Sequence, residues 1–322
     1  MNKVFKGVAC AAIGVGAGVL AAGAVMYESV LNMKLNRIVQ KTGIMANEEE
    51  DKFWAENEIY LAGKDWYREI KPTLLTVDSR IGRKAFADSI PAPEASHKWA
   101  VVIHGYSAGT DSMSHYAWKY NQLGFNVILP HMIGHDNDGT VNKQNYCSMG
   151  YHDKNAVLDW IDYIVNADPQ AEIILHGVSM GSATTMLVTG EDLPVNVKAA
   201  VADCGYTSCW DEFSVQIKET FRLPPFPILD VANFVSKVRG NFDFKKCSPL
   251  EAVAKSKTPT IFIHGEDDDF VPYWMMEPLF NACSAEKETL TVPGSFHANA
   301  VFANNELYWN SALEFIGKYI AI

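Results

Sequence analysis

The sequence of 322 residues predicts an α/β protein with a doubly wound, mostly parallel sheet. Short apolar runs alternate with helical stretches from about residue 65 onward, which is typical of strand–helix–strand crossovers. The runs are continuously apolar, as expected for strands that are covered on both faces of a sheet. One segment, residues 206–257, is far longer than the dozen or so residues that a crossover needs, and it predicts an inserted helical cap.

The predicted elements follow in chain order. Two strands around Gly82, within residues 73–90, form an antiparallel hairpin at the edge of the sheet. The later strands are predicted over 98–103, 126–129, 172–175, 197–202, 260–263 and 289–292. Helices are predicted over 114–124, 152–166, 181–190, 273–283 and 305–320, where the residue pattern suits helices.

The first 44 residues differ in charge from the rest of the chain. They carry five basic residues and one acidic residue, whereas the whole chain has a net charge of -11. Residues 7–27 contain no charged residue, and a helix of that length would span about 31 Å, enough to cross a bilayer core. We interpret them as a retained signal anchor; a cleaved signal peptide, with Ala22 and Ala24 beside the cut, and a buried helix are the alternatives.

Residues 45–64 are acidic and mixed, and we interpret them as a helical linker to a single domain over 65–322. Every candidate site residue named below lies beyond position 100. We therefore expect residues 1–44 to be dispensable for the chemistry of the domain.

Composition and motifs exclude several kinds of partner. Acidic residues outnumber basic ones, 38 to 27, so the chain has no general excess of positive charge for nucleic-acid phosphates. No G-x-G-x-x-G follows a strand and no G-x-x-x-x-G-K-[ST] occurs, so no nucleotide cofactor is expected. Two histidines and two aspartates within 131–138 lack a second ligand group, so no metal is expected. The six cysteines form no C-x-x-C, and a Cys204–Cys209 bridge would require an oxidising compartment.

The stretch Gly177-Val178-Ser179-Met180-Gly181 lies directly between a predicted strand and a predicted helix. This is G-x-S-x-G in the strand–turn–helix context that projects a serine hydroxyl from the edge of a sheet. The two glycines supply the clearance that such a sharp turn needs. The helix that follows points its N–H groups toward developing negative charge. Ser179 is therefore the candidate nucleophile.

A serine hydroxyl needs a base, and the base needs an acid that orients it. His297 follows the last predicted strand and is the candidate base. The loop after the preceding strand carries consecutive carboxylates, of which Asp267, Asp268 and Asp269 are candidates for the acid. Asp203, at the end of another strand, is a positional alternative.

Acyl chemistry also needs donors for a developing oxyanion. The backbone N–H of Met180, directly after the nucleophile, is one candidate. The second is the N–H of Tyr106, in the loop that follows the strand 98–103. In the cap, we expect Trp210, Phe213 and Phe226 to line an apolar substrate pocket, with aromatic core residues as the alternative.

Taken together, these residues resemble the α/β-hydrolase superfamily, and more narrowly bacterial, N-terminally membrane-anchored members described as cell-surface hydrolases. The resemblance covers about residues 65–322. It is carried by VVIHGY (101–106), MGYHDKNAVLDWIDYIV (149–165), LHGVSMGSAT (175–184), ADCGYTS (202–208), IFIHGEDDDFVP (261–272) and GSFHA (294–298). In that family the acid lies four positions after the histidine of the H-G pair, which here is Asp268.

The resemblance implies an α/β-hydrolase fold, hydrolysis of esters or related acyl groups without a cofactor, and a domain on the extracytoplasmic side of a membrane. The first interpretation is therefore a serine hydrolase that cleaves small carboxylic esters through Ser179. A peptidase or amidase with the same residues and a non-catalytic anchored binding domain are the alternatives. The sequence indicates no oligomeric state.

Overall fold

The structure, a computed structural model, describes residues 18–41, 48–135 and 146–322. Its strands form one sheet of eight in the order β1-β2-β4-β3-β5-β6-β7-β8. The strands are β1 (Thr73–Ser79), β2 (Arg83–Ile90), β3 (Lys98–Ile103), β4 (Asn126–Pro130), β5 (Glu172–Val178), β6 (Val197–Asp203), β7 (Thr260–Gly265) and β8 (Lys287–Val292). The β1–β2 hairpin is antiparallel and the strands β3 to β8 are mutually parallel, so the predicted fold class is confirmed.

Helices cover both faces of the sheet. In the described residues they are α1 (18–31), α2 (Met33–Lys41), α3 (Glu48–Glu56), α4 (Glu58–Ile70), α5 (Ser114–Gln122), α6 (Asp153–Ala167), α7 (Met180–Thr189), α8 (Cys209–Phe221), α9 (Pro225–Gly240), α10 (Pro249–Val253), α11 (Met276–Ala282), α12 (Ala300–Ala303) and α13 (Asn305–Ile316). The helix predicted over 273–283 begins instead with a short 3-10 turn, Tyr273–Met275.

The apolar core lies in two layers separated by the sheet. Successive residues of β3 alternate between the layers, with Val101 and Ile103 on one side and Ala100 and Val102 on the other. This alternation is the strand period of two. It explains why β3 is apolar from Trp99 to Ile103, because both faces of the strand are buried from Ala100 onward.

The segment predicted as a cap forms a helical insertion between β6 and β7. It contains α8, α9 and α10. Ser208 and Ser248 cap α8 and α10, since each hydroxyl accepts a hydrogen bond from a backbone N–H in the first turn. The insertion is anchored to the core at both ends, because Cys209 and Val253 are buried there.

The segment predicted to be a linker is a packed part of the body. It forms two helices, α3 and α4, rather than one helix over 45–64. Phe53 of α3 packs edge-on against Phe296, with ring centroids 5.3 Å apart. Gly63 of α4 lies so close to α5 that a Cβ atom there would be 2.8 Å from the His115 backbone nitrogen. These contacts hold the described part of the segment, from residue 48 onward, against the body.

The described part of the first 44 residues also packs on the body. Met26, Tyr27, Leu31 and Met33 are 8%, 3%, 1% and 1% exposed and belong to the same core layer as Val101 and Ile103. Within the described ranges, no helix is both long enough and apolar enough to cross a bilayer. Residues 7–17 of the predicted anchor lie outside the described residues, and membrane attachment through residues 7–27 stays a prediction.

Candidate active site

Ser179 stands in a strained turn between β5 and α7. Its φ and ψ are 58° and -119°, a conformation that residues with a side chain rarely adopt. The turn is held by the Ser179 N–H, which donates to the Asp203 carbonyl at 2.9 Å. Strain of this kind persists where the surrounding structure enforces it, and it projects the hydroxyl from the strand end.

Two glycines of the predicted motif allow this turn. A Cβ atom at Gly177 would lie 2.1 Å from the Gly181 carbonyl oxygen, and one at Gly181 would lie 2.0 Å from the Ile103 carbonyl oxygen. Backbone occupies both places, so no rotamer change can make room. The sequence pattern G-x-S-x-G is thus explained by close packing of β5, α7 and the end of β3.

The structure brings Ser179, His297 and Asp268 together in one hydrogen-bonded chain. The Ser179 hydroxyl lies 2.8 Å from His297 Nε2, and His297 Nδ1 lies 2.8 Å from Asp268 Oδ2. With the ring proton on Nδ1, His297 donates to Asp268 and accepts from Ser179. The three residues come from the ends of β5, β7 and β8, which the parallel sheet places along one edge.

Asp268 is fixed more firmly than its neighbours. Its Oδ1 accepts hydrogen bonds from the N–H groups of Phe270 and Val271 at 3.1 and 2.9 Å. Asp268 is 4% exposed, whereas Asp267 and Asp269 are exposed. The positional alternative Asp203 is also buried, but its carboxylate accepts from Tyr308 at 2.8 Å instead of from His297.

The electrostatics of the three residues follow from this geometry. Burial disfavours the Asp268 carboxylate, but the positive charge of His297 and hydrogen bonds from His264 and His297 hold its pKa at about 2. Burial likewise disfavours charged His297, but the pKa of His297 is still raised well above its ordinary value, with the Asp268 carboxylate as its charged partner near pH 7. Asp268 is therefore ionised near pH 7, and His297 binds a proton readily.

The loop after β3 lies against Ser179, where the sequence predicts the second oxyanion donor. A Cβ atom at Gly105 would be 3.3 Å from the Ser179 Cβ. Within the described chain, the N–H groups of Tyr106 and Met180 donate to no protein acceptor. Because Gly105 lies against Ser179, these unengaged N–H groups follow two residues that are in contact, and such donors can bind an oxyanion that develops on a substrate.

His104 organises this loop without taking part in proton transfer. Burial lowers its pKa to about 4, so the ring is neutral near pH 7. Its Nδ1 donates to the Gly105 carbonyl at 2.8 Å, and its Nε2 accepts from the Met132 N–H at 3.2 Å. Both ring nitrogens are thus used in fixing the backbone on either side of the site.

Cys204 is a neighbour of the site that the sequence does not reveal as such. In the described part of the chain, one group of three side chains has metal-ligand atoms within 4.8 Å of one another, namely Cys204, Asp268 and His297. Burial raises the pKa of Cys204 to about 12, which keeps it a thiol. Cys204 and Cys209 are both free and buried, so the bridge considered from the sequence is not formed.

The three cap aromatics predicted to bind substrate lie in different environments. Phe213 is 3% exposed and packs edge-on against Phe244, with centroids 4.8 Å apart. Phe226 is 75% exposed. Trp210 is partly buried beneath the Lys245 ammonium, which lies 4.0 Å from the ring centroid. Phe213 is therefore a core residue, which was the alternative to a pocket role. A substrate-binding role for Trp210 and Phe226 stays a prediction.

Two further residues approach the site from the rest of the fold. The Phe270 ring lies 4.9 Å from the His297 ring, centroid to centroid. Glu212 of α8 is 2% exposed, and burial, its largest influence, raises its pKa to about 8. Phe270 could have been found from its place two residues after Asp268. Glu212 has no sequence signal, because only the packing of α8 buries it.

In the loop over 131–138, considered as a metal site, the two described histidines contact groups of the body. His135 is 5% exposed, and its Nδ1 lies 3.1 Å from the Ile133 carbonyl oxygen. His131 lies 3.3 Å from Asp88, measured from Nε2 to Oδ2. Asp136 and Asp138 lie outside the described residues.

Comparison with known proteins assigns the chain to a family. Residues 111–321 match the model of the prolyl oligopeptidase family. The protein YqkD of Bacillus subtilis (strain 168) is 27% identical over 227 residues, which are 70% of this chain and 73% of that protein.

Two solved structures share the fold at low identity. An esterase of Pyrococcus furiosus, Pf2001, has a TM-score of 0.61 at 16% identity and covers 79% of this chain and 96% of its own. An acylaminoacyl peptidase of Pyrococcus horikoshii has a TM-score of 0.57 at 17% identity and also covers 79% of this chain. The match spans 42% of that peptidase, which is therefore more than twice the matched length.

Proposed function

We propose that this chain, which belongs to the prolyl oligopeptidase family, cleaves carboxylic esters through an acyl-enzyme on Ser179. Family membership identifies a serine hydrolase, and the choice of ester and of Ser179 is the proposed part. The observation that carries the proposal is the hydrogen-bonded chain Ser179–His297–Asp268, with both contacts at 2.8 Å.

The proposed reaction has two halves. His297 Nε2 takes the hydroxyl proton while Ser179 Oγ bonds to the ester carbonyl carbon. The tetrahedral intermediate then expels the alcohol, which receives that proton from His297. In the second half, His297 takes a proton from water, the resulting hydroxide attacks the acyl-enzyme, and Ser179 leaves with the proton returned to it.

Asp268 and the backbone donors stabilise charges that form during the reaction, and they make or break no covalent bond with the substrate. The Asp268 carboxylate holds the Nδ1 proton in place and stabilises the imidazolium that forms in each half. The N–H groups of Tyr106 and Met180 bind the oxyanion of both tetrahedral intermediates. Donors fixed in advance need no reorganisation as charge develops, and losing one typically costs about 10²- to 10³-fold in kcat.

Peptide or amide cleavage with the same residues is the second candidate, and the family match over 111–321 favours it. The two reactions differ in the leaving group. A p-nitrophenolate leaves without a proton, whereas an amine must receive one from His297 as it departs. An amide therefore places stricter demands on the position of the scissile nitrogen.

A matched substrate panel tests the choice. We expect p-nitrophenyl esters of two to eight acyl carbons to be hydrolysed with kcat/KM at least ~10²-fold above that of aminoacyl p-nitroanilides, because the anilide needs the extra proton transfer. The released chromophores are followed spectrophotometrically. The rates measured with Ser179→Ala on the same panel give the background of spontaneous hydrolysis, which is subtracted. Anilides turned over faster than all esters would assign the chain to the peptidase alternative.

The pH dependence should show a base that binds protons tightly. His297 must be neutral to accept the Ser179 proton. Its pKa is raised against the effect of burial, and the Asp268 carboxylate is the charged partner in this pH range because Cys204 is then a neutral thiol. We therefore expect kcat/KM to rise with pH, with an inflection above pH 6.5. Asp268, with a pKa of about 2, stays ionised throughout and adds no inflection in this range.

Glu212 is a second buried group near His297 that titrates around neutral pH, with a pKa raised to about 8 chiefly by burial. The Glu212→Gln variant should keep the inflection in the pH profile, since the amide removes the titration of Glu212 and leaves His297 in place. An inflection that disappears in this variant would assign the profile to Glu212. An inflection below pH 6.5 in the unmodified enzyme would contradict the raised pKa of His297.

A further inference from the structure

We propose that α1 and α2 are a working part of the active site, and that Asn36 of α2 is a positioning residue for the oxyanion loop. This inference rests on the proposed function, because it takes the Tyr106 N–H as an oxyanion donor. It replaces the sequence-based expectation that residues 1–44 are dispensable for the chemistry.

Asn36 is bonded to two consecutive residues of the loop. Its Nδ2 donates to the Tyr106 hydroxyl at 3.1 Å, and its Oδ1 accepts from the Ser107 hydroxyl at 2.9 Å. The Tyr106 hydroxyl in turn donates to the Val30 carbonyl. Asn36 is 7% exposed, so these bonds are made away from bulk water. A single amide side chain thereby links α2 to the residues on both sides of the Tyr106–Ser107 peptide.

The loop needs such a restraint. Ser107 has φ of 58°, in the left-handed region that residues with a side chain seldom occupy. Directly before Tyr106, Gly105 packs against Ser179. The loop is therefore a strained backbone between the nucleophile and Asn36, and it would relax if the restraint at Ser107 were removed. Relaxation would turn the Tyr106 N–H away from the oxyanion.

The platform that carries Asn36 is itself fixed to the body. The Cys147 N–H donates to the Leu31 carbonyl at 2.8 Å, and Arg37 donates to the Gly134 carbonyl at 3.3 Å. Arg239 of the cap pairs with Glu28. A Cβ atom at Gly23 would lie 2.5 Å from Val231 of α9, so α1 also packs closely on the cap. These contacts let α2 act as a rigid support rather than as a flexible tether.

The test compares Asn36→Ala with Asn32→Ala. Asn32 lies one turn earlier, and its side chain bonds to Glu28 at 3.0 Å and Tyr146 at 3.4 Å instead of the loop. We expect Asn36→Ala to lower kcat for p-nitrophenyl acetate about 10- to 100-fold with KM within about threefold, as for a misplaced oxyanion donor. Asn32→Ala should leave kcat within about threefold, even if both variants melt at lower temperature.

Two readouts separate positioning from general destabilisation. Phenylboronic acid forms a tetrahedral adduct with Ser179 that carries an oxyanion, so its Ki should rise in Asn36→Ala by about the factor that kcat falls. Tyr106→Phe keeps the backbone N–H and removes only the hydroxyl. Asn36 acts partly through that hydroxyl. The loss of kcat in the double variant Asn36→Ala/Tyr106→Phe should therefore be smaller than the product of the losses in the two single variants.

The outcomes are distinct. Equal loss of kcat in Asn36→Ala and Asn32→Ala, or an unchanged boronate Ki in Asn36→Ala, would overturn the positioning role. Full activity of Asn36→Ala beside an inactive Ser179→Ala would overturn this inference and leave the proposed function intact. Full activity of Ser179→Ala would instead overturn the proposed function itself.

Discussion

Replacing Ser179 or His297 with alanine should lower ester hydrolysis by about 10⁴- to 10⁶-fold in a protein that stays folded. Removal of the nucleophile or the base of such a unit costs about 10⁶-fold in kcat in a well-studied serine protease. The loss is large because Ser179 Oγ supplies the bond to the acyl group, and His297 Nε2, 2.8 Å away, supplies the proton transfer. The measurement is kcat/KM for p-nitrophenyl esters, with folding checked by circular dichroism.

The two substitutions act on one unit, so their effects should not multiply. We expect the double variant to be little worse than either single variant, because each already disables the same step. Ser214→Ala and His97→Ala are matched controls: Ser214 bonds to the Trp210 carbonyl and His97 to Asp168, in the cap and on the surface. Both should keep near-normal activity. A folded Ser179→Ala protein that still forms an acyl-enzyme would contradict the assignment.

Much of the fold is readable from the sequence because its signals are local. The strand β3 has the predicted bounds, 98–103, because the residues after Lys98 form an uninterrupted apolar run that suits a strand buried on both faces. The nucleophile turn is equally local, because five consecutive residues define it. His297 and the loop that carries Asp268 could be named because parallel strands present their carboxyl ends at one edge, which brings residues 29 apart in sequence into contact. The choice of Asp268 over Asp267 and Asp269 rests on the family resemblance.

The contacts that the sequence does not reveal depend on packing between distant segments. Asn36 and Tyr106 are 70 residues apart, and neither has a spacing that points to the other. The length and lack of charge of the stretch that ends at Tyr27 favour a membrane anchor, and nothing in its composition indicates that Tyr27 is 3% exposed in the core. Similarly, an aromatic stripe does not distinguish Phe213, which packs inward, from Phe226, which is exposed.

The N-terminal segments thus contact the site from two sides. Asn36 of α2 holds the loop that follows β3, and Phe53 of α3 packs on Phe296, the residue directly before His297. The residues that perform the proposed chemistry all lie beyond position 100, but part of their support lies before position 60. A charge boundary at residue 44 therefore does not mark the beginning of the supporting structure.

Replacing Asp268 with asparagine should lower kcat by up to about 10⁴-fold, the loss that the same change causes in a serine protease. An asparagine presents an amide where the carboxylate now accepts the Nδ1 proton of His297 at 2.8 Å. The amide favours the opposite imidazole tautomer, in which Nε2 carries the proton and cannot accept one from Ser179. The acid limb of the pH profile should also move to lower pH, because the charge that raises the pKa of His297 is reduced.

Three other aspartates are the controls for this prediction. Asp267→Asn and Asp269→Asn change exposed side chains, so they should keep activity within about threefold. Asp203→Asn changes a buried side chain that bonds to Tyr308, and burial already raises its pKa to about 6. A neutral asparagine therefore resembles the protonated form that Asp203 readily adopts, and kcat should fall far less than in Asp268→Asn. A large loss in one of the three controls, with Asp268→Asn active, would move the acid to that position, because only the residue that orients His297 can show the tautomer effect.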